Sequence, residues 1–218
     1  MKILAAIILS IILTTEVLGT GAELALCQKD ADAHLNVIYL PGVDGLQISK
    51  TEIDNRKILE QVSKGARVNI AVMRSQAKCP KRFPDSVCWP QGTSEEVEST
   101  IQSVLSLAAS CFDKTKGTAL LGFSNGGYLA GKHVQQCGKS PFQQVIAVGS
   151  AGAVTASQSD MSQCGKFTLM MGLSDKLTFH AAKEYYELLK KKNARVTFVT
   201  YEGGHTLTVK SLVGVLRP

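Results

Sequence analysis

The sequence predicts an α/β fold, a mostly parallel central sheet of about six strands flanked by helices on both faces. Short apolar runs alternate with longer stretches of helical spacing, which is the pattern of strand–helix units feeding a parallel sheet. The 218 residues suit one domain once an apolar leader is set aside. One strand-to-helix junction, Gly122-Phe123-Ser124-Asn125-Gly126-Gly127, is a sharp turn between small residues.

The elements follow in order. Lys2 precedes an apolar run from Ile3 to Leu13, and small residues follow at Gly19, Gly21 and Ala22. One positive charge before a core too short for a comfortable membrane span reads as a secretory signal peptide over 1–22, leaving a single domain over 23–218. Cleavage is expected after Gly19 or Ala22, and an uncleaved anchor is the alternative. Leu26 stands where a lipoprotein needs a small residue, so Cys27 is not expected to carry lipid. Leu35-Asn36-Val37-Ile38-Tyr39-Leu40 is the first strand. A helix near 50–63, a strand over 67–73 and a helix near 94–111 come next. The last of these has Val97, Ile101, Val104, Leu105 and Ala108 at helical spacing. The apolar run Gly117 to Leu121 is a strand whose helix reaches about 136, and a strand over 143–149 follows. The final units are a strand to Met171, a helix over 177–192, a strand ending at Tyr201 and a helix over 206–216. No repeat or low-complexity tract is present, and the Ser/Thr-rich stretch 155–162 reads as an exposed loop.

At the junction after Leu121, Gly122 and Gly126 leave room for a strained pivot, and Ser124 would carry its hydroxyl clear of the sheet edge. The amides of the next helix would point at the same spot. A serine hydroxyl needs a base, and the base an orienting acid. Among four histidines, His205 follows an apolar run behind Gly203-Gly204, at a strand's end. Asp175 follows another such run through the turn Gly172-Leu173-Ser174. Ser124, Asp175 and His205 thus each lie just past the C-terminal end of a strand, and in a parallel sheet those ends share one edge. The competing readings are structural. Asp175 also suits a helix cap, and His205 a surface turn. His133 and His180 belong to helices, His34 lies at the opposite edge, and Asp160, the other acid considered, sits in a loop before a strand.

With these residues in hand, the chain resembles the α/β-hydrolase superfamily from about 35 to 216. The likeness rests on Gly122-Phe123-Ser124-Asn125-Gly126, Gly172-Leu173-Ser174-Asp175, Gly204-His205 and the segment Leu40-Pro41-Gly42-Val43-Asp44-Gly45. Pro41-Gly42 stands where many members carry His-Gly, a variant similar to the Pro-Gly-x-x-Gly form of some esterases and thioesterases. The resemblance implies that the backbone N–H groups of Val43 and Asn125 form an oxyanion hole.

Six cysteines behind a leader imply an oxidising compartment and three disulfides, with fifteen pairings open to sequence alone. The coarse fold narrows them. Cys79 and Cys88 share one loop. Cys137 at a helix end and Cys164 before a strand both fall at the edge opposite the active site. Cys27, placed before the first strand, and Cys111 remain as the third pair. No spacing argues for metal, and no cofactor is expected. The net charge of +6 favours anionic surfaces, but is equally compatible with solubility alone. No aromatic-interleaved basic repeat points to nucleic acid. A monomer is expected.

Two loops on the catalytic edge are expected to build the substrate site. The 74–93 loop carries Lys78, Lys81, Arg82, Phe83 and the sole tryptophan, Trp89. Of these, Phe83 and Trp89 are the candidate substrate contacts; a stapled surface loop is the alternative. The 150–154 loop, small and apolar, suits an acyl or alcohol pocket. Neither is long enough for a cap domain, so an open site for a small-molecule or polymeric ester is expected. The expected function is carboxylic-ester hydrolysis through a Ser-His-Asp triad and an acyl-enzyme. Thioester or peptide cleavage, acyl transfer, or a non-catalytic binding role on the same scaffold stay open.

Overall fold

The computed structural model describes residues 21–80, 83–137, 140–152 and 160–218. The expected leader lies outside the described residues up to position 20; Ala22 opens the first strand, and the Gly21 carbonyl just before it accepts the Gln76 amide at 2.8 Å.

Among the described residues, seven strands form the main sheet, in the order β1-β4-β2-β6-β7-β8-β9. Six of them are parallel and are the strands expected from the apolar runs: β2 (Leu35–Leu40), β4 (Val68–Ser75), β6 (Gly117–Phe123), β7 (Gln144–Val148), β8 (Phe167–Gly172) and β9 (Val196–Tyr201). The seventh, β1 (Ala22–Gln28), is an added edge strand antiparallel to β4. A second ribbon, β3 (Asp44–Gly45) with β5 (Ser86–Val87), is too short to show in any periodicity.

Strand alternation divides the core in two. Ile38 and Leu40 of β2 face a layer containing Ile101 and Val104 of α2 (Ser94–Ala108), Leu129 and Ala130 of α3 (Asn125–Gln135) and Tyr185 and Leu189 of α4 (Phe179–Lys191). Val37 and Tyr39 face Leu59 and Val62 of α1 (Lys50–Ala66) and Leu212 and Leu216 of α5 (Val209–Leu216). With both faces covered, β2 and β8 are buried along their whole length, which is why they read as continuous apolar runs. Helix starts are set locally. Ser49 and Thr93 accept the Glu52 and Glu96 amides at 3.2 and 3.3 Å, capping α1 and α2.

All three expected disulfides are present: Cys27–Cys111, Cys79–Cys88 and Cys137–Cys164. One placement differs from expectation. Cys27 lies within β1, opposite Ala71 of β4, rather than ahead of the sheet. The first disulfide therefore fastens the edge strand to the chain just past α2.

Candidate active site

Ser124 joins β6 to α3 with φ 50° and ψ −113°, a conformation that side-chain-bearing residues rarely adopt. The turn leaves no room around it. A Cβ on Gly122 would strike the Gly126 carbonyl, and one on Gly126 would strike the Leu40 carbonyl. The Ser124 amide donates to Val148 at 2.8 Å, and the Gly126 amide to Pro41 at 3.1 Å, so the turn is fixed from both neighbouring strands. The side chain is half-buried, and its hydroxyl makes no hydrogen bond among the described residues.

Asp175 and His205 meet. The His205 ring nitrogen Nδ1 lies 2.8 Å from Asp175 Oδ2. An ionised carboxylate can only accept, so Nδ1 carries the proton and Nε2 is left as an acceptor. Asp175 is fully buried at its side chain. Burial pushes its pKa up, but hydrogen bonds from His205 and Thr178 outweigh that and hold the carboxyl below the usual aspartate range. The capping reading does not hold in the expected form: α4 starts at Phe179 with Thr178 as its N-cap, and Asp175 Oδ1 instead accepts the amides of Leu177 and Thr178 at 3.1 and 3.2 Å in the turn ahead of it. The other oxygen, Oδ2, takes the Thr178 hydroxyl at 2.7 Å as well as His205, so the turn fixes the carboxylate that faces the imidazole. The His205 ring packs on Phe123, the residue before Ser124, with centroids 5.0 Å apart. It also sits where a Cβ on Gly149 would come within 3.1 Å of it. Tyr201 donates to the Thr206 carbonyl at 2.6 Å and fixes the turn that carries His205. Its burial, with the Asp175 charge, pushes the phenol up to about 12, which keeps it a donor. No hydrogen bond joins Ser124 to His205 among the described residues.

The other candidates fall elsewhere. His34 bridges the carbonyls of Arg67 and Leu216 at the opposite edge. His133 is buried on α3, which pulls its pKa down. His180 is exposed beside Glu184. Asp160 is exposed and accepts from the Ser162 amide, with no histidine on it.

The segment after β2 and the hairpin after β4 form one unit. Neither the Val43 nor the Asn125 amide has a hydrogen-bond acceptor among the described residues. Trp89, expected to offer a substrate contact, is buried: its indole Nε1 donates to the Pro41 carbonyl at 2.9 Å, and its amide to Asn125 Oδ1 at 2.6 Å. It therefore ties the hairpin to Pro41 and to the residue after Ser124, and only part of it reaches a cleft wall. Phe83 stands on the surface, 43% exposed. The β3–β5 ribbon joins Asp44 to Val87, and the Cys79–Cys88 disulfide closes the hairpin beside it. Sequence patterns give no sign of two further supports. Asp44 accepts the Gly45 and Ser49 amides, and Arg74 donates to the carbonyls of Gly45 and Leu46.

The 150–154 loop is described only as far as Gly152. Ser150 and Ala151 are buried, and a Cβ on Gly152 would strike the Tyr185 ring. Residues 153–159 lie outside the described residues. Among the described residues, no three metal-ligating side chains gather.

No family model and no curated protein matches the sequence. Solved structures do. A carboxylesterase from Mesorhizobium loti is 13% identical, with 84% of this chain and 87% of that one covered and a TM-score of 0.63. The Bacillus cereus carboxylesterase is 17% identical over 88% and 90% of the two chains, with a TM-score of 0.61. An esterase from Pyrobaculum calidifontis is 14% identical over 86% and 76%, with a TM-score of 0.58. The fold is that of the α/β-hydrolases. It is a minimal version, with no large domain inserted over the sheet edge among the described residues.

Proposed function

We propose that this chain is a serine hydrolase of carboxylic esters. The observation that carries the reading is the His205–Asp175 pair, held at 2.8 Å beside a serine in a strained strand-to-helix turn. His205 Nε2 takes the Ser124 proton as Oγ attacks the ester carbonyl. Asp175 keeps the imidazole in the required tautomer and stabilises its charged form. The Val43 and Asn125 amides, which have no partner among the described residues, receive the oxyanion. The alcohol leaves with the proton from His205, and water activated by the same nitrogen releases the acid. We further propose that the protein works outside the cytoplasm, exported by the apolar leader behind Lys2. The three disulfides support this, since reducing compartments do not favour them.

A fluorophosphonate probe and a chromogenic ester test the chemistry together. The native protein should be labelled and should turn the ester over. Ser124→Ala should lose both while its melting temperature stays close to the native value, because one half-buried hydroxyl without hydrogen bonds holds little structure. Ester turnover retained in Ser124→Ala would remove Ser124 from the mechanism.

A further inference from the structure

A cleft of about 570 Å³ lies beside the two amides proposed for the oxyanion. Val43 and Asn125 stand in its wall, together with Pro80, Phe83, Trp89 and Pro90. This volume is within the range of small-molecule sites. Two prolines and two aromatic rings make a stiff, largely apolar lining, and the disulfide Cys79–Cys88 closes the hairpin that carries it. The charged groups on the wall, Lys78 and Glu96, are exposed and opposite in sign, so the lining carries no net charge among its described residues.

Sheet order decides which half of an ester belongs there. The cleft is built by segments following β2 and β4, on one side of β6. Asp175 and His205 follow β8 and β9, on the other side. In acylation the bond from Ser124 Oγ to the carbonyl carbon forms and the bond to the alkoxy oxygen breaks. The serine proton passes through His205 Nε2 to that departing oxygen. The alcohol must therefore lie toward His205, and the remaining substituent on the carbonyl carbon points away from it. Resting on the hydrolase reading above, we propose that the hairpin cleft is the acyl pocket and that the substrates are esters of bulky, uncharged, apolar acids. Selectivity then lies on the acyl half, and the leaving alcohol is free to vary.

The sole tryptophan, Trp89, stands in the wall and reports occupancy without turnover. Cyclohexanecarboxamide, a neutral analogue of the acyl half, should change its fluorescence saturably, whereas acetamide at the same concentrations should not. Phe83→Ala should weaken that binding about tenfold, and Phe83→Leu should restore most of it. Kinetics then use cyclohexanecarbonyl and acetyl esters, each of p-nitrophenol and of 4-methylumbelliferone. In Phe83→Ala the ratio of kcat/KM for the bulky over the small acyl group should fall about tenfold with both alcohols. A dependence on Phe83 that follows the alcohol instead, or a flat fluorescence titration beside normal turnover, overturns the acyl assignment alone. A saturable titration with neither probe labelling nor turnover overturns it together with the hydrolase reading.

Discussion

The two flanks of β6 hold their parts of the site by different means. On the β8–β9 flank, Asp175 and His205 ride on short turns that hydrogen-bond each other. Leu173 donates to Tyr201 at 2.9 Å and Ser174 to Gly203 at 2.8 Å, and a Cβ on Gly172 would strike the Gly204 carbonyl. No cysteine lies in 165–218. On the β2–β4 flank, a two-residue ribbon joins a longer hairpin to the segment after Gly42, a disulfide closes that hairpin on itself, and Trp89 ties it to Pro41 and to Asn125. The difference follows from what each flank presents. A side chain is aimed by its own hydrogen bonds, as Asp175 aims His205. A backbone amide is aimed only by fixing the peptide that carries it, and an exposed loop needs external ties for that.

This contrast predicts a gradient of effects. The β8–β9 flank should be the more sensitive, since removing the carboxylate leaves the imidazole in the wrong tautomer. Asp175→Asn should lower kcat on a chromogenic ester by about 10⁴, the loss seen in a well-studied triad, while Asp160→Asn should change it little. Equal losses, or the reverse order, would break the comparison by moving the acid to the 160 loop. The other flank should answer more mildly. Trp89→Phe keeps the ring but removes the donor to Pro41. With the Gly126 bond to that carbonyl intact, kcat should fall about tenfold, less than the ~10²–10³ for an oxyanion donor lost outright. KM should hold. A lower melting temperature with unchanged kcat at 25 °C would reduce Trp89 to a packing role. The smallest effect is expected from Cys79→Ser/Cys88→Ser, because the ribbon and Trp89 still hold the hairpin. KM should rise a few-fold, more than kcat falls, as a loosened wall loses its preorganisation. A KM unchanged across short, long and negatively charged esters would remove the hairpin from substrate binding.

Much of this arrangement is legible in the sequence, for identifiable reasons. Parallel strands buried on both faces, such as β2 and β8, leave continuous apolar runs. The strained turn at Ser124 demands Gly122 and Gly126, and these are visible as letters. Once strand ends are assigned to one edge, Cys79 pairs with Cys88 in their shared loop and the other four cysteines fall at the opposite edge, where sequence alone leaves their pairing open. The missing parts have no local signature. β1 follows directly on the apolar leader, and its register shifts between Leu24 and Leu26, which spoils the alternation that would announce a strand. β3 and β5 are two residues each. The bond from Trp89 to Pro41 joins positions 48 apart and depends on which way an indole turns, so sequence shows the aromatic but not its task.

The covalent map has a mechanical consequence. Cys27–Cys111 encloses β2, β3, β4 and the whole hairpin, with Cys79–Cys88 nested inside, and Cys137–Cys164 closes a second, separate loop. Between these loops run 112–136, which contain Ser124 and Asn125, and beyond them 165–218, which contain Asp175 and His205. Tension applied at the two ends of the oxidised chain can lengthen only the unenclosed stretches. Val43 would stay inside a covalent bundle while Asn125 and Ser124 were drawn out beside it. Under load the two amides proposed to share one oxyanion are therefore divided by a boundary that force does not cross, and the site comes apart along the junction of β2 and β6.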